Sequence, residues 1–527
     1  MTGVSRELIT LQLGHYSNFV GTHWWNLQDA SLCYDPGSAP PPEVQSDSVF
    51  REGQTPGGSV TYTPRLIAMD LKSLRTLRQE GSLYDGGSVT VHKHSQPEKN
   101  CFLEDLEKLD MDSFNSQLTR VQKNYRLEGS VTVWSDFLRL HLHPRSVAVI
   151  HQFNHDREAH RLETFGQGES VLQGALLDEL EDRLHFFVEE CDYLQGFQVL
   201  CDLEDGFAGL GSKVTELLQD SYGGRGILTW GMAPVVHRDS RDRYHLLNAA
   251  LGTVNMAAHS SLFCPLTLLQ AALWYHSSAI LALALDALTV PYRLRNNGAP
   301  MWQVADSLAV SGRKVVAAYG AVPFPMMPGG SLPDALSACA DALPWKPLSA
   351  CPEAAGGRCY GQWSTLRGYE GQKLICLSPG IEPSTPLHGL LSGEDVLAAY
   401  VSSFYPSAPA LQLVSAPSKL TPPFPQIFSP ALDAQGFMRG GAPPAGAAPL
   451  VSSVPILTSL QSGTALRPFL SELQCAAATF DVRRRAPSFL SQGPEMADYQ
   501  EALEELRLLG RCYHDDSGGT TRSSSED

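Results

Sequence analysis

The chain has 527 residues, of which 43% are hydrophobic and 18% are charged. This amount of apolar material is enough for two or three hydrophobic cores and argues against a single very large domain. Asp and Glu together number 56 against 39 Lys and Arg, which gives a formal net charge of −17 at pH 7. Because phosphate backbones and anionic lipid headgroups repel such a chain, nucleic-acid binding is disfavoured.

The cysteine pattern and the apolar segments favour a cytosolic protein without a transmembrane segment. The 11 cysteines include no Cys-x-x-Cys pair, which indicates reduced thiols and argues against a structural zinc site. The N-terminus lacks both a secretory signal and the Arg-rich pattern of a mitochondrial import sequence. Polar residues interrupt the apolar stretch 262–290, so we interpret it as a buried helix rather than a membrane span.

Buried strands alternate with helices along the first 245 residues. Apolar runs predict strands at 7–13, 63–71, 147–153, 197–200 and 226–232. Amphipathic spacing predicts helices at 176–192 and 214–222. This alternation predicts an α/β fold whose N-terminal domain is built on a parallel, doubly wound sheet.

Shifts in composition divide the chain into further regions. We predict a nucleotide-domain fold at 1–245 with an insertion at about 85–145, a central helical connection at 246–290, a second α/β domain at 291–430, a linker at 431–450, a C-terminal helical region at 451–513 and a disordered acidic tail at 514–527. The insertion is polar and irregular, and the linker is rich in Gly, Ala and Pro.

Five segments resemble parts of tubulin and follow one another in the same order. They are LQLGHYSNFVGTHWW (11–25), TPRLIAMDL (63–71), CDYLQGFQ (191–198), LNAALGT (247–253) and AVPFP (321–325). The resemblance covers roughly residues 6–325 and implies a tubulin/FtsZ-like fold with a central helix, a second α/β domain and C-terminal helices. The HWW ending of the first segment and the acidic loop after CDYLQGFQ are closer to Misato proteins. By this resemblance the chain is identified as a member of the Misato family.

Membership of this family implies a role in mitochondrial distribution, morphology and fusion. It implies a location in the cytoplasm and, peripherally, on the cytosolic face of the mitochondrial outer membrane. Because the sequence shows no lipidation signal and no basic amphipathic helix, we expect protein partners at the outer membrane to hold it there. An alternative is a cytoskeletal or chaperonin-associated factor that binds tubulin or its folding machinery.

The resemblance also implies a residual nucleotide site, with GTP as a cofactor that is not required. The residues that match the family's nucleotide loops are Gly14, Asn18, Asp70, Gly206 and Asn248. Sites of this kind use glycine because a side chain would keep the backbone N–H groups away from the phosphates. Asn248 matches the residue that reads the base.

Five departures from the family's pattern predict that hydrolysis is lost: Glu204, Asp205, Lys72, Arg313 and Val316. Glu204 and Asp205 replace loop glycines, and a carboxylate at about 4 Å from a phosphate costs several kcal/mol at an effective dielectric of about 20. Lys72 replaces an acid that helps to hold magnesium, and Arg313 and Val316 replace acids that act on a neighbouring subunit's nucleotide. We therefore predict a largely non-catalytic interaction protein, with no metal site and no tubulin-like polymer.

Three sequence features leave alternatives open. The chain is a divergent GTP-binding switch if the five matching residues still bind nucleotide. Residues 206–213 nearly match a phosphate-binding P-loop, although Lys213 is displaced by one position from the lysine of that motif. Arg483, Arg484 and Arg485 form a basic run that is either a solvated loop or a docking point for an acidic partner.

Overall fold

The computed structural model describes most of the chain. The described residues are 6–32, 42–54, 60–71, 100–107, 125–154, 160–234, 244–268, 273–339, 342–352, 357–375, 385–405, 409–440 and 450–514. Two β-sheets and a set of C-terminal helices make up this part of the protein.

The first sheet consists of six parallel strands. The strands of this part of the chain are β1 (Glu7–Leu13), β2 (Phe50–Gln54), β3 (Val60–Pro64), β4 (Leu66–Leu71), β5 (Val147–Ile150), β6 (Leu194–Asp202), β7 (Gly226–Ala233) and β8 (Leu262–Thr267). Six of them pair in the order β5-β4-β1-β6-β7-β8, while β2 and β3 form a separate antiparallel pair. Every residue of β1, β4 and β6 is buried, as expected for parallel strands covered on both faces.

Helices cover both faces of this sheet. They are α1 (His15–Ser31), α2 (Cys101–Glu107), α3 (Phe165–Val171), α4 (Ala175–Glu189), α5 (Phe207–Ser221), α6 (His245–His259), α7 (Trp274–Leu288) and α8 (Met301–Leu308). Ile9 and Leu11 of β1 join the core formed with α4, α5 and α6, whereas Leu8 joins the core formed with α1 and α7. The predicted parallel, doubly wound sheet is therefore confirmed.

The second sheet has five strands of mixed direction. Its region contains β9 (Ala317–Ala321), α9 (Leu332–Ala338), β10 (Lys346–Pro347), β11 (Cys359–Arg367), α10 (Gly393–Phe404), β12 (Ala410–Val414), β13 (Ser418–Lys419), β14 (Ser453–Val454) and β15 (Ile456–Gly463). The sheet order is β10-β9-β15-β11-β12, and β13 pairs with β14. Helix α7 packs against α1 on one side and against β11 and β15 on the other, so it lies between the two sheets.

The C-terminal helices pack back onto the first domain. They are α11 (Leu466–Thr479), α12 (Val482–Arg485), α13 (Pro487–Ser491) and α14 (Met496–Arg511). Helices α11 and α14 pack against each other and against α6. None of the helices in the described residues is long and apolar enough to cross a membrane.

Two regions that the sequence predicts to be helical each contain a β-strand. The helical connection predicted at 246–290 is wrong in part, because β8 lies within it and completes the first sheet. Its residues continue an apolar run, in which periodicity does not separate a buried strand from a buried helix. The helical region predicted at 451–513 is also wrong in part, because β15 precedes its helices and is the middle strand of the second sheet.

The predicted insertion and linker contribute to the packed core. Trp134, within the insertion at 85–145, is buried. Leu432, within the linker at 431–450, is buried as well. Apart from His514, the predicted disordered tail lies outside the described residues.

Candidate functional site

The candidate site lies where β1 and β6 run side by side in the first sheet. The next strand of this sheet after β1 is β4, which lies on one side of the β1–β6 pair. The next strand after β6 is β7, which lies on the other side. Ligands of parallel α/β sheets bind at the carboxyl ends of the strands, at such a change of direction. Gly14 follows the end of β1, and Asp202 is the last residue of β6.

The carboxylate of Asp202 occupies the N-terminus of α1. It accepts hydrogen bonds from Tyr16 N at 2.9 Å, from Ser17 N at 2.7 Å and from Ser17 Oγ at 2.6 Å. The first backbone N–H groups of a helix have no partner within the helix, and together with the helix dipole they attract an anion. Here the chain supplies that anion itself.

Gly14 makes room for this carboxylate. Its φ of 114° is a conformation that side chains disfavour, and a Cβ there would lie 2.4 Å from Asp202 Oδ2. Burial raises the pKa of Asp202 to about 6, although hydrogen bonds from Ser17 and Tyr16 act in the opposite direction. The glycine that the sequence assigns to a phosphate loop therefore contacts an internal carboxylate.

Asp70 and Asn18 attach the start of α1 to the end of β4. Asp70 Oδ2 lies 3.1 Å from His15 Nδ1 and accepts a hydrogen bond of 2.8 Å from Trp134 Nε1. The Asn18 side chain donates to the Met69 carbonyl oxygen at 3.1 Å. Both predicted site residues thus lie beside Gly14 and bond to other parts of the protein. Lys72, for which the sequence suggests loss of a magnesium ligand, lies outside the described residues.

The loop after β6 has a second carboxylate at a helix start. Asp205 Oδ1 accepts a hydrogen bond of 2.9 Å from Phe207 N, at the beginning of α5. Gly206 lies between them, and its N–H donates to the Leu162 carbonyl oxygen at 3.1 Å. The backbone donor that a phosphate would meet at Gly206 is therefore used within the protein.

The glycines after Gly206 serve helix packing. A Cβ on Gly209 would lie 1.9 Å from the Phe165 carbonyl oxygen, so glycine lets α5 contact α3 through their backbones. Lys213 points into solvent and pairs with Glu216 at 2.8 Å. The P-loop interpretation of residues 206–213 is wrong, because most of the segment lies within α5.

Asn248 connects two loops that approach α6. Its Oδ1 accepts from Phe165 N at 2.8 Å, and its Nδ2 donates to the carbonyl oxygens of Glu163 at 2.8 Å and Glu204 at 3.0 Å. Both amide protons are used by backbone oxygens, and the residue is fully buried. Its side chain therefore positions loops rather than facing an open cleft.

The two positions at which the family's acidic residues are replaced, Arg313 and Val316, contact other parts of the chain. Arg313 donates from Nε to the Cys512 carbonyl oxygen at 2.6 Å, and its guanidinium lies 3.9 Å from the Tyr360 ring centroid. Val316 is completely buried, and its N–H donates to the Phe263 carbonyl oxygen at 2.9 Å. Neither residue presents a group that could activate water.

Asp202 determines the character of this site, although it is not among the residues predicted from the sequence. A signal was present, because FQVLCD places an aspartate directly after a short apolar run, as LIAMD does. Within the described ranges, no group of three or more His, Cys, Asp and Glu side chains could hold a metal ion. The residues present do not fit a nucleotide phosphate at α1, because Asp202 already uses the donors and would repel it.

Comparisons with known proteins agree with this architecture. Residues 6–123 match the family described as Misato Segment II tubulin-like domain, and residues 126–294 match the family described as Tubulin domain. Protein misato homolog 1 of Danio rerio is 58% identical over 100% of this chain and 99% of its own length. The Homo sapiens protein of that name is 44% identical over 97% and 99%, and protein misato of Drosophila melanogaster is 28% identical over 97% and 99%. The chain therefore belongs to the Misato family and has its tubulin-like fold.

Proposed function

We propose that this protein is a largely non-catalytic, tubulin-like interaction protein that regulates mitochondrial distribution, morphology and fusion. It acts in the cytoplasm and on the cytosolic face of the mitochondrial outer membrane, where protein partners hold it. The mitochondrial part of the proposal is supported by the family resemblance of the sequence. GTP is not required for this role.

One observation carries the non-catalytic part of the proposal: the Asp202 carboxylate on the first turn of α1. A phosphate at that place would lose the N–H donors of Tyr16 and Ser17 and would meet a like charge. Asn248, whose amide protons are both bonded to backbone oxygens, offers no free donor to a base. These contacts support a protein that keeps the tubulin scaffold without using its nucleotide site.

Nucleotide binding is tested by thermal denaturation of the full-length protein with millimolar GTP, GDP or ATP. We expect the same melting temperature with and without each nucleotide, while purified tubulin serves as the positive control for GTP. A ligand at 100 times its Kd stabilises a protein by about 2.7 kcal/mol, which a melting curve detects readily. Stabilisation of that size by GTP would overturn the conclusion that Asp202 keeps a nucleotide phosphate from the site and would favour a GTP-binding switch.

The cellular role is tested by depletion and re-expression. We expect depletion of the protein to alter mitochondrial distribution and network shape, and re-expression of the full chain to restore them. A Glu216→Gln variant, changed at an exposed ion pair away from the candidate site, is the matched control and should restore them equally. Unchanged mitochondria after depletion would contradict the proposed role.

A further inference from the structure

Three of the four edges of the two large sheets are protected against pairing with another chain. At β8, Phe263 N donates to the Lys314 carbonyl oxygen at 2.8 Å, so a later segment covers this edge. The edge strand β10 has only two residues, one of which is Pro347. In β5, three of the four residues are buried. Proteins protect edge strands in these ways because an unpaired edge attracts strands of other chains.

The edge strand β12 lacks this protection. It lies at the end of the second sheet and pairs with β11 on one side. It is five residues long and reads ALQLV, and residues 410–413 are only partly buried. An apolar edge strand of this length is a template for a further strand.

The backbone groups at the open side of β12 belong to Leu411 and Leu413. The Val414 carbonyl oxygen accepts a hydrogen bond of 2.9 Å from Gly368 N, so the backbone groups of Val414 point toward the β11 side. Because this direction alternates along a strand, the groups of Gln412 point the same way and those of Leu411 and Leu413 point outward. Among the described residues, neither leucine forms a backbone hydrogen bond at this edge.

We propose that β12 pairs antiparallel with β12 of a second copy of this chain, about a two-fold axis at Gln412. The sequence ALQLV is nearly symmetric about this central residue. In this register Leu411 lies opposite Leu413 of the second copy, and each such pair exchanges both of its backbone hydrogen bonds. The pairing therefore satisfies the outward groups of both leucines.

The side chains of β12 suit this register. Leu411 and Leu413 pack against the same hydrophobic core, and pairing places the leucines of the two copies side by side on that face of the sheet. Gln412 lies on the opposite face, where its amide donates to the Asn297 carbonyl oxygen at 3.4 Å, so the axis carries no charge. A two-fold interface closes at two copies, which gives a dimer and not a filament. This inference goes beyond the proposed cellular role and does not depend on it.

The first measurement is the oligomeric state of the full-length protein by sedimentation equilibrium. Two copies that each carry a net charge of −17 repel each other. The measurement is therefore made in about 0.15 M salt, which screens long-range repulsion but not charges a few ångströms apart. We expect a reversible equilibrium between monomer and dimer. A protein that stays monomeric up to about 100 μM would overturn the proposal and leave the edge to an extended segment of another protein.

Charge substitutions at Gln412 locate the two-fold axis. The Cα atoms of the two central residues should lie about 4.5 Å apart, so Gln412→Lys places two ammonium groups, and Gln412→Glu two carboxylates, across the axis. We expect each variant alone to dimerise at least about tenfold more weakly than wild type. An equimolar mixture of the two variants should regain at least the wild-type affinity, because opposite charges then face each other. Recovery also shows that both variants are folded.

The matched controls are Gln219→Lys and Gln219→Glu, at an exposed glutamine of α5. Both should dimerise like wild type, alone and mixed. An unchanged dimer in the Gln412 variants would place the interface elsewhere. Weakened variants whose mixture does not recover would mean that the strands do not pair about Gln412. Either result would overturn the proposal.

Discussion

Asp202 and Asp286 are both buried aspartates, but their surroundings are opposite. Asp202 accepts hydrogen bonds from backbone N–H groups and a hydroxyl, and burial raises its pKa to about 6. Burial acts on Asp286 in the same direction, but the Arg367 and Arg293 guanidiniums outweigh it and hold the pKa of that carboxyl well below its usual range. The first carboxylate is stabilised mainly by hydrogen-bond dipoles, whereas the second is stabilised by the full charges of two arginines.

The two aspartates also differ in what they connect. Asp286, in the central helix α7, accepts hydrogen bonds of 2.9 Å from Gln28 of α1 and 2.7 Å from Ser418 of β13. Arg367, which pairs with it, belongs to the second sheet. Asp202 connects only β6 to α1, at the crevice where related folds bind a ligand. One carboxylate therefore joins the two domains, and the other closes the candidate site.

The largest effect is expected when the charge of Asp286 is removed. Among the described residues, the Asp286→Asn substitution leaves Arg293 and Arg367 buried without an acidic partner. Breaking a buried ion pair in this way costs about 3 to 5 kcal/mol, because a charge remains in the interior without compensation. Urea denaturation followed by tryptophan fluorescence should show this loss of unfolding free energy.

The control for this experiment is Asp306→Asn, at an exposed aspartate of α8. We expect it to change the unfolding free energy by less than about 0.5 kcal/mol. If Asp286→Asn were as mild as the control, the ion cluster would not hold the domains together, and the contrast with Asp202 would disappear.

A smaller effect is expected at Gly14. Gly14→Ala introduces a Cβ 2.4 Å from Asp202 Oδ2 at a φ of 114°, so we expect a loss of about 3 kcal/mol from the clash and the backbone strain together. In an Asp202→Gly background the clashing side-chain atoms of residue 202 are removed and only the strain remains. A double-mutant cycle measured by urea denaturation should therefore give a clearly smaller cost for Gly14→Ala in that background. Equal costs in both backgrounds would mean that the carboxylate does not contact Gly14.

The elements of the fold differ in how well the sequence predicts them. The segments ELITLQL and GILTWGM are mainly apolar and of strand length, and both form buried parallel strands as predicted. β8, with the sequence LFCPLT, was missed because it lies in a longer apolar stretch that also fits a helix. Local patterns thus identify an element when its flanks are polar or rich in glycine.

The site was harder to predict because its residues act through distant partners. Gly209 looked like part of a phosphate loop, but its partner is the backbone of Phe165, which no local pattern reveals. In the sequence, Asp286 is only one of several polar residues that interrupt the apolar stretch 262–290. Its arginines, Arg293 and Arg367, come from segments with no special motif. Sequence identifies candidate residues at such sites, and the packing decides what each one contacts.

The smallest effect is the pH dependence that Asp202 contributes. An unfolded aspartate has a pKa of about 4, and burial raises the pKa of Asp202 to about 6 in the folded protein. Between these values the folded state binds more protons than the unfolded state, so this group favours folding increasingly as the pH falls. From pH 7 to pH 5 we expect wild type to gain about 1 kcal/mol of unfolding free energy relative to Asp202→Asn, which cannot titrate.

This difference must be measured as wild type minus variant, because other groups act in the opposite direction. Burial lowers the pKa of His23 to about 3, so folding becomes less favourable as the pH falls below about 6.5, where the unfolded histidine takes up a proton. That contribution is present in both proteins and cancels in the difference. Urea denaturation at several pH values gives both curves. A difference that stays flat, or that grows as the pH rises, would mean that burial does not raise the pKa of Asp202 and that this carboxylate resembles Asp286 after all.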